Sequence, residues 1–282
     1  MINLPTATMI GPECEASMMT TEMMTTDEAS VKRSSADGVL ARAFHVMNAV
    51  GASGQSLSLA ELSRVTGLPK TTAHRVLQQL IRLGALEREG DLYRIGLQMF
   101  VLSSAVPEMS LRAAALKRML ELQNYTGHTL HLATMRDDRV VYLEKIGNKR
   151  SDDIPTVVGG SFAAHATGVG KAMLAYLPRA RLQGILSHPL EKLTSRTISD
   201  PAALLVSLRR VRELGIAFDD EEAAPKLRCV AHPVIYMGSA VAGVSISYPS
   251  NAALDKAAVA ALRATCTSIG NDLARLHLPW AG

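Results

Sequence analysis

The chain has 282 residues, enough for two compact domains, and its 48% hydrophobic and 20% charged residues are ordinary for a globular protein. Its net charge of +4 permits a polyanionic partner without demanding one, so the placement of charge says more than its total. Three scattered cysteines (Cys14, Cys229, Cys266) argue against a disulfide framework and for a reducing, cytoplasmic setting, and no apolar run approaches the ~18 residues of a membrane span.

Residues 1–36 are rich in Met and Thr and carry Glu13, Glu15, Glu22, Asp27 and Glu28. They lack the basic start and apolar core of a secretory signal and are expected to form a disordered tail, or to lie upstream of the true start, with Met18, Met19, Met23 and Met24 as candidate initiators. A first helix is predicted from about Gly38 to Val50, with Leu40, Phe44 and Met47 on one face, broken by Gly51-Ala52-Ser53-Gly54.

Ser58 and Glu61 then form a capping-box pattern, so a helix should start at Leu59 and run along a stripe of Leu59, Leu62 and Val65 until Gly67. Pro69 opens a second helix with Ala73, Val76, Leu77 and Leu80 on its buried side, ended by Gly84. The opposite side of that helix offers Lys70, Thr71, Thr72, His74, Arg75, Gln78 and Arg82. Lysine and arginine neutralise phosphates, while Thr, His, Gln and Arg hydrogen-bond base edges or the backbone. Leu86-Glu87-Arg88 and Leu92-Tyr93-Arg94-Ile95 flank a Glu89-Gly90-Asp91 turn and read as a hairpin. Two helices joined by a tight turn, followed by such a wing with Arg88 and Arg94 near the flanking phosphates, make a winged helix-turn-helix that binds double-stranded DNA.

Leu97 to Ser104 is predicted as a short linker helix, with Pro107 at its boundary. Beyond it, Leu111 to Asn124 has helical spacing through Leu111, Ala115, Met119 and Leu122. Thr129–Met135 and Val140–Ile146 should pair as a hairpin. A helix is expected from Gly168 to Leu177, stopped by Pro178, and another from Pro201 to Gly215. Ile216–Phe218, Cys229–Tyr236 and Ala240–Tyr248 are strand-like, and a last helix spans about Asn251 to His277. Mixed strands and helices with hairpins imply an α+β domain, an antiparallel sheet with flanking helices.

Three stretches together carry a resemblance to the IclR family of bacterial transcriptional regulators. They are Thr66 to Leu80, His165-Ala-Thr-Gly-Val-Gly-Lys-Ala-Met-Leu-Ala, and Gly215-Ile-Ala-Phe-Asp-Asp-Glu-Glu followed by Leu227-Arg-Cys-Val-Ala-His-Pro-Val. After the expected tail (1–36), the resemblance, which begins at about residue 37, implies a winged helix-turn-helix domain (37–96), a linker helix (97–108) and a GAF-like effector-binding and oligomerisation domain (109–282). It also implies a homodimer or homotetramer on an operator, controlled by a small organic-acid effector. Carried over by motif, the effector site would include Gly168, Val169, Asp219, Leu227, Cys229, Ser245 and Ser247. The chain departs from the family pattern at Pro225-Lys226, where a glycine-containing turn is usual, and at Ile235-Tyr236, so the ligand's identity is not inherited.

The residues themselves agree with an acid site. Gly168-Val169-Gly170 at a helix start would present unpaired amides to a carboxylate, and Ser245 and Ser247, two apart on a strand, face the same side. Asp219 would accept from a ligand hydroxyl or hold neighbouring amides. Other chemistry fits less well. His165 stands where a phosphate loop needs its first glycine, and Ala172 follows Lys171 in place of Ser or Thr. His128 with His131, and Cys229 with His232, fall on opposite strand faces, so no metal is expected, and no cofactor. The alternative to a regulator is a small-molecule hydrolase using Cys229, but the apolar strand around that cysteine gives it no activating base.

Overall fold

The computed structural model describes residues 38–147, 154 and 156–276; the predicted tail and His277 lie outside them. The chain divides into two compact units that meet between Ser103 and Ser104.

The first unit comprises α1 (Val39–Ser53), β1 (Leu57–Ser58), α2 (Leu59–Thr66), α3 (Lys70–Arg82), β2 (Leu86–Glu89), β3 (Leu92–Ile95) and α4 (Leu97–Ser103). Helix α1 runs three residues past Val50, through Gly51, and stops where Gly54 turns left-handed at φ 62°. Its buried residues are Val46 and Val50, whereas Leu40 and Phe44 are exposed, so the predicted inner face is corrected. The cause is that α1 packs through the stripe of Ala43, Val46, Met47 and Val50, which turns Leu40 and Phe44 outward.

The capping box forms as the sequence requires: Ser58 Oγ accepts from the Glu61 amide, and Glu61 Oε2 accepts from the Ser58 amide at 2.8 Å. Leu62 is buried on α2, but Val65 is exposed and does not continue the stripe. Gly67 (φ 67°) ends α2 and Pro69 caps α3, which buries Ala73, Val76, Leu77 and Leu80 in a core with Val46, Val50, Leu86 and Tyr93. The wing pairs Leu86 with Ile95 and Glu89 with Leu92 around Gly90. Strand β1, absent from the sequence reading because it is two residues long, pairs with β3 and makes the wing three-stranded. Helix α4 exposes Leu97, Phe100, Val101 and Leu102.

The second unit begins with α5 (Pro107–Thr126), which takes Pro107 into its first turn. It continues with β4 (Thr129–Arg136), β5 (Arg139–Ile146), β6 (Ser161–Ala163), a 3-10 turn (Ala164–Ala166), α6 (Gly168–Leu174), α7 (Arg179–Leu186), α8 (Pro201–Leu214), β7 (Ala217–Asp220), β8 (Leu227–Tyr236), β9 (Ser239–Pro249) and α9 (Lys256–Arg275). The six strands form one antiparallel sheet in the order β6-β5-β4-β9-β8-β7. Three corrections follow. Helix α6 ends at Leu174, α7 and β6 were not anticipated, and α9 starts at Lys256, where Asp255 caps it, instead of near Asn251.

The sheet is covered on both faces. Leu130 and Leu132 of β4, Val230 and Val234 of β8, and Val244 and Ile246 of β9 pack with Leu111, Ala115, Met119 and Leu122 of α5 and with Leu262, Cys266, Ile269 and Leu273 of α9. The other face carries Ala133, Tyr142 and Ala231 against Val169, Met173 and Leu174 of α6 and Leu204, Leu208 and Val211 of α8. Because side chains alternate along a strand, residues interleaved with the first set, namely His131, Cys229, Ser245 and Ser247, lie on the α6 side. That alternation positions the site.

Candidate functional site

On α3 the four buried apolar residues occupy one side, and Lys70, Thr71, His74, Arg75 and Arg82 are exposed, with Thr72 and Gln78 half-buried. A helix whose inner stripe is anchored by α1 and α2 holds its outer residues in a fixed array, which is what reading a groove requires. His74 Nε2 and Gln78 Nε2, one turn apart, approach to 3.5 Å. The wing arginines are already engaged. Arg88 donates to the Gly90 carbonyl and to Asp91, and lies over the Tyr93 ring, while Arg94 pairs with Glu87 and Glu89. A phosphate at the wing would have to compete with those carboxylates.

In the second unit, all seven motif-derived residues line one small cavity, with free space of about 20 Å³, together with His131, Tyr142, Ile154, Thr156, Phe162, Thr167, Ala223 and Ala224. That space is room for about one water molecule, so a ligand enters only as the walls move apart toward the few hundred Å³ of an open site. Glycines bring α6 onto the sheet. A Cβ on Gly168 would come within 3.3 Å of Ala231 Cβ and 3.5 Å of Cys229 Cβ, and one on Gly170 would sit 2.1 Å from the Ala164 carbonyl oxygen. The expected row of three free amides is shortened, because Thr167 Oγ1 accepts from the Gly170 amide at 3.1 Å. Gly168 and Val169 line the cavity wall.

Asp219 is 3% exposed, and its Oδ1 accepts from the amides of Glu222 (2.8 Å) and Ala223 (3.3 Å). Burial raises its pKa to about 6, against the pull of Lys171 and of those amides. Lys226 supplies the left-handed residue of the next turn (φ 63°), and its amide donates to Glu221 Oε2. The turn is therefore built on a lysine in the left-handed region, with a backbone cost of about 1–2 kcal/mol.

A polar chain, unforeseen in the sequence, crosses the cavity. Cys229 Sγ and Ser247 Oγ share a hydrogen bond of 3.2 Å, Ser247 Oγ and His131 Nδ1 another of 3.2 Å, and His131 Nε2 meets Thr156 Oγ1 at 2.7 Å. Burial, with a smaller push from Lys145, lowers the His131 pKa to about 3, so the ring is neutral. Sequence reasoning considered His131 only as a metal ligand; its place on β4 opposite Ser245 was the missing signal. Among the described residues no cluster of His, Cys, Asp or Glu could hold a metal ion, and no single helix is long and apolar enough to cross a membrane.

Cys229 is an unsuitable nucleophile. Burial pushes its thiol well above the ordinary range, and Asp219 adds to the push both by its charge and by a hydrogen bond to the protonated thiol, so the reactive thiolate is disfavoured.

Comparison with known proteins places these features. A family model described as bacterial transcriptional regulator IclR C-terminal matches residues 103–272, and one described as the IclR helix-turn-helix domain matches residues 39–90. The chain is 33% identical over 214 residues to the HTH-type transcriptional regulator KdgR of Escherichia coli (strain K12), spanning 74% of this chain and 81% of that relative. It is 30% identical over 243 residues to the HTH-type transcriptional regulator XynR of the same organism, spanning 83% and 94%. Among solved structures, an IclR homolog from Microbacterium hydrocarbonoxydans, complexed with 4-hydroxybenzoate, superposes with a TM-score of 0.75 at 25% identity over 84% of this chain and all of that one. The Thermotoga maritima IclR superposes with a TM-score of 0.69 at 26% identity over 83% and 98%.

Proposed function

The chain belongs to the IclR family of DNA-binding bacterial transcriptional regulators, and we propose that it is switched by a small organic acid bound in the cavity beneath α6. The observation that carries this reading is convergence. Residues as far apart in sequence as Gly168, Asp219 and Ser247 line one small, mostly buried space that also holds the neutral His131–Ser247–Cys229 chain. Such a space, apolar on Tyr142, Val169 and Phe162 and polar at a few fixed points, suits a compact acid. The 4-hydroxybenzoate in the Microbacterium relative is consistent with that chemistry, without specifying the ligand of this chain.

In this reading Lys70, Thr71, Thr72, His74, Arg75, Gln78 and Arg82 face the major groove of an operator, and Arg88 and Arg94 flank it. The protein acts in the cytoplasm as a homodimer or homotetramer, for which the exposed Leu40 and Phe44 of α1 and Phe100 and Val101 of α4 offer apolar surface. It is a regulator and not an enzyme. Effector and operator affinities are then linked by a coupling free energy, typically about 1–3 kcal/mol and equal in both directions.

The test starts from an operator selected out of random duplexes and a screen of carboxylates by thermal shift on the full chain. At least one acid should both raise the melting temperature and change operator affinity. An acid that binds the cavity yet leaves the operator titration unchanged would refute control by that site.

A further inference from the structure

The electrical character of the cavity goes beyond the reading just given, on which it rests. Among the described residues its walls carry one carboxylate, Asp219, and no lysine or arginine side chain. The ammonium of Lys171 on α6 is committed to Glu222, and that of Lys145 on β5 donates to the carbonyls of Ile154 and Thr156 at 2.9 Å each. A ligand entering a space this small has no room to hold a negative charge far from Asp219. Nor can Asp219 swing away, because the amides of Glu222 and Ala223 fix its Oδ1.

We propose that Asp219 makes this cavity selective for singly charged organic acids, each acid anion being bound together with one proton that Asp219 takes up. The complex then carries the same net charge in the cavity as the empty protein, one negative charge. A doubly charged acid of the same size would leave at least one more and is turned away.

The surroundings of Asp219 favour that exchange. The titratable groups around it are Lys171 from α6, Glu222 from the turn after β7, Cys229 from β8, Tyr142 from β5 and, across the cavity, His131 from β4. Cys229, Tyr142 and His131 are all held in their neutral forms by burial. Lys171 and Glu222 largely answer each other. Asp219 is therefore the one lining group, among the described residues, that is charged near neutral pH, and burial has already brought its pKa up to about 6. Repulsion from a bound anion raises it further.

The experiment is titration calorimetry on the full chain in paired buffers of different ionisation enthalpy. The probes are aromatic and aliphatic monocarboxylates (4-hydroxybenzoate among them), their uncharged carboxamides and size-matched dicarboxylates. Monocarboxylates that bind should take up close to one proton near neutral pH, and their Kd should rise by up to about tenfold per pH unit above about pH 6. Carboxamides should show no such slope, and dicarboxylates should bind more weakly than their monocarboxylate counterparts. In Asp219→Asn, whose amide oxygen still accepts from the Glu222 and Ala223 amides, monocarboxylates should bind without proton uptake. If that variant fails to fold, the calorimetry of the unaltered chain decides alone. Monocarboxylate binding with no proton exchange and a constant Kd from about pH 5.5 to about pH 8 would overturn proton-coupled entry while leaving the organic-acid reading intact. Failure of every monocarboxylate to bind at any pH would overturn both.

Discussion

Lys171 and Glu222, 51 residues apart in sequence, meet as an ion pair with side chains only 1% and 7% exposed. The pair ties α6, whose first residues form the cavity wall, to the turn that Asp219 organises. The same turn is held from outside, where the hydroxyls of Thr194 and Thr197 donate to the carbonyls of Glu221 and Glu222. One carboxylate oxygen of Glu222 is buried without a protein partner among the described residues, so the pair is the main compensation for that charge.

Removing the cation should therefore be costly. Lys171→Met is expected to destabilise the protein by about 3–5 kcal/mol, because a buried carboxylate is left uncompensated, whereas Lys171→Met with Glu222→Leu should recover much of the loss. Urea unfolding of both variants checks this. A single variant as stable as the parent would show that the pair contributes little.

Acid stability should expose two opposed groups. His131 has its pKa lowered to about 3, so the unfolded state binds its proton first, and the stability His131 contributes is lost as pH falls from about 6.5 toward 3. Asp219 has its pKa raised to about 6, so the folded state binds the proton first, and its contribution grows as pH falls from about 6 toward 3.8. Between pH 6 and 4 the two offset each other. Asp219→Asn leaves His131 unopposed, and the variant should lose stability relative to the parent by up to about 1.4 kcal/mol per pH unit across that window. Parallel stability curves, followed by denaturant midpoints, would contradict the assignment.

At the DNA face, Arg75 is exposed on α3 beside His74. Arg75→Ala should weaken binding to the best operator by about 1–3 kcal/mol. It should flatten the salt dependence by about one unit if Arg75 meets a phosphate, and relax base preference at one position if it reads a base. Fluorescence anisotropy at several salt concentrations distinguishes the two. An unaltered operator affinity would remove Arg75 from the interface.

In the cavity, Ser245→Ala combined with Ser247→Ala takes away two buried hydroxyls, one of them the link between His131 and Cys229. Effector affinity should drop by about 1–3 kcal/mol, the worth of one or two hydrogen bonds, while effector-free operator binding is retained. Superimposable effector titrations for parent and variant would reject both serines as ligand contacts.

Much of the first unit was readable from short-range signals. The Ser58–Glu61 box, the left-handed Gly67 and Gly84, and the spacing of Ala73, Val76, Leu77 and Leu80 each act within one or two helical turns, and all appear as expected. The errors lie where the outcome depended on a distant partner. Leu40 and Phe44 have helical spacing as good as that of Val46 and Val50, but only the latter pair meets α3 and the wing. Strand β1 exists because β3 is there to pair with it.

The cavity divides the same way. The motif stretches named Gly168, Asp219, Leu227, Cys229, Ser245 and Ser247, and strand alternation put the two serines on one face before any coordinates. Periodicity carries no information about which strand lies alongside, however. His131 reaches Ser247 across 116 residues only because β4 pairs with β9 in that register, and Lys171 finds Glu222 only because α6 packs over the end of β7. Local chemistry thus determined the reading helix and the list of cavity residues. The tertiary packing decided which polar groups are bonded to each other, and how much water is left to stabilise their charges.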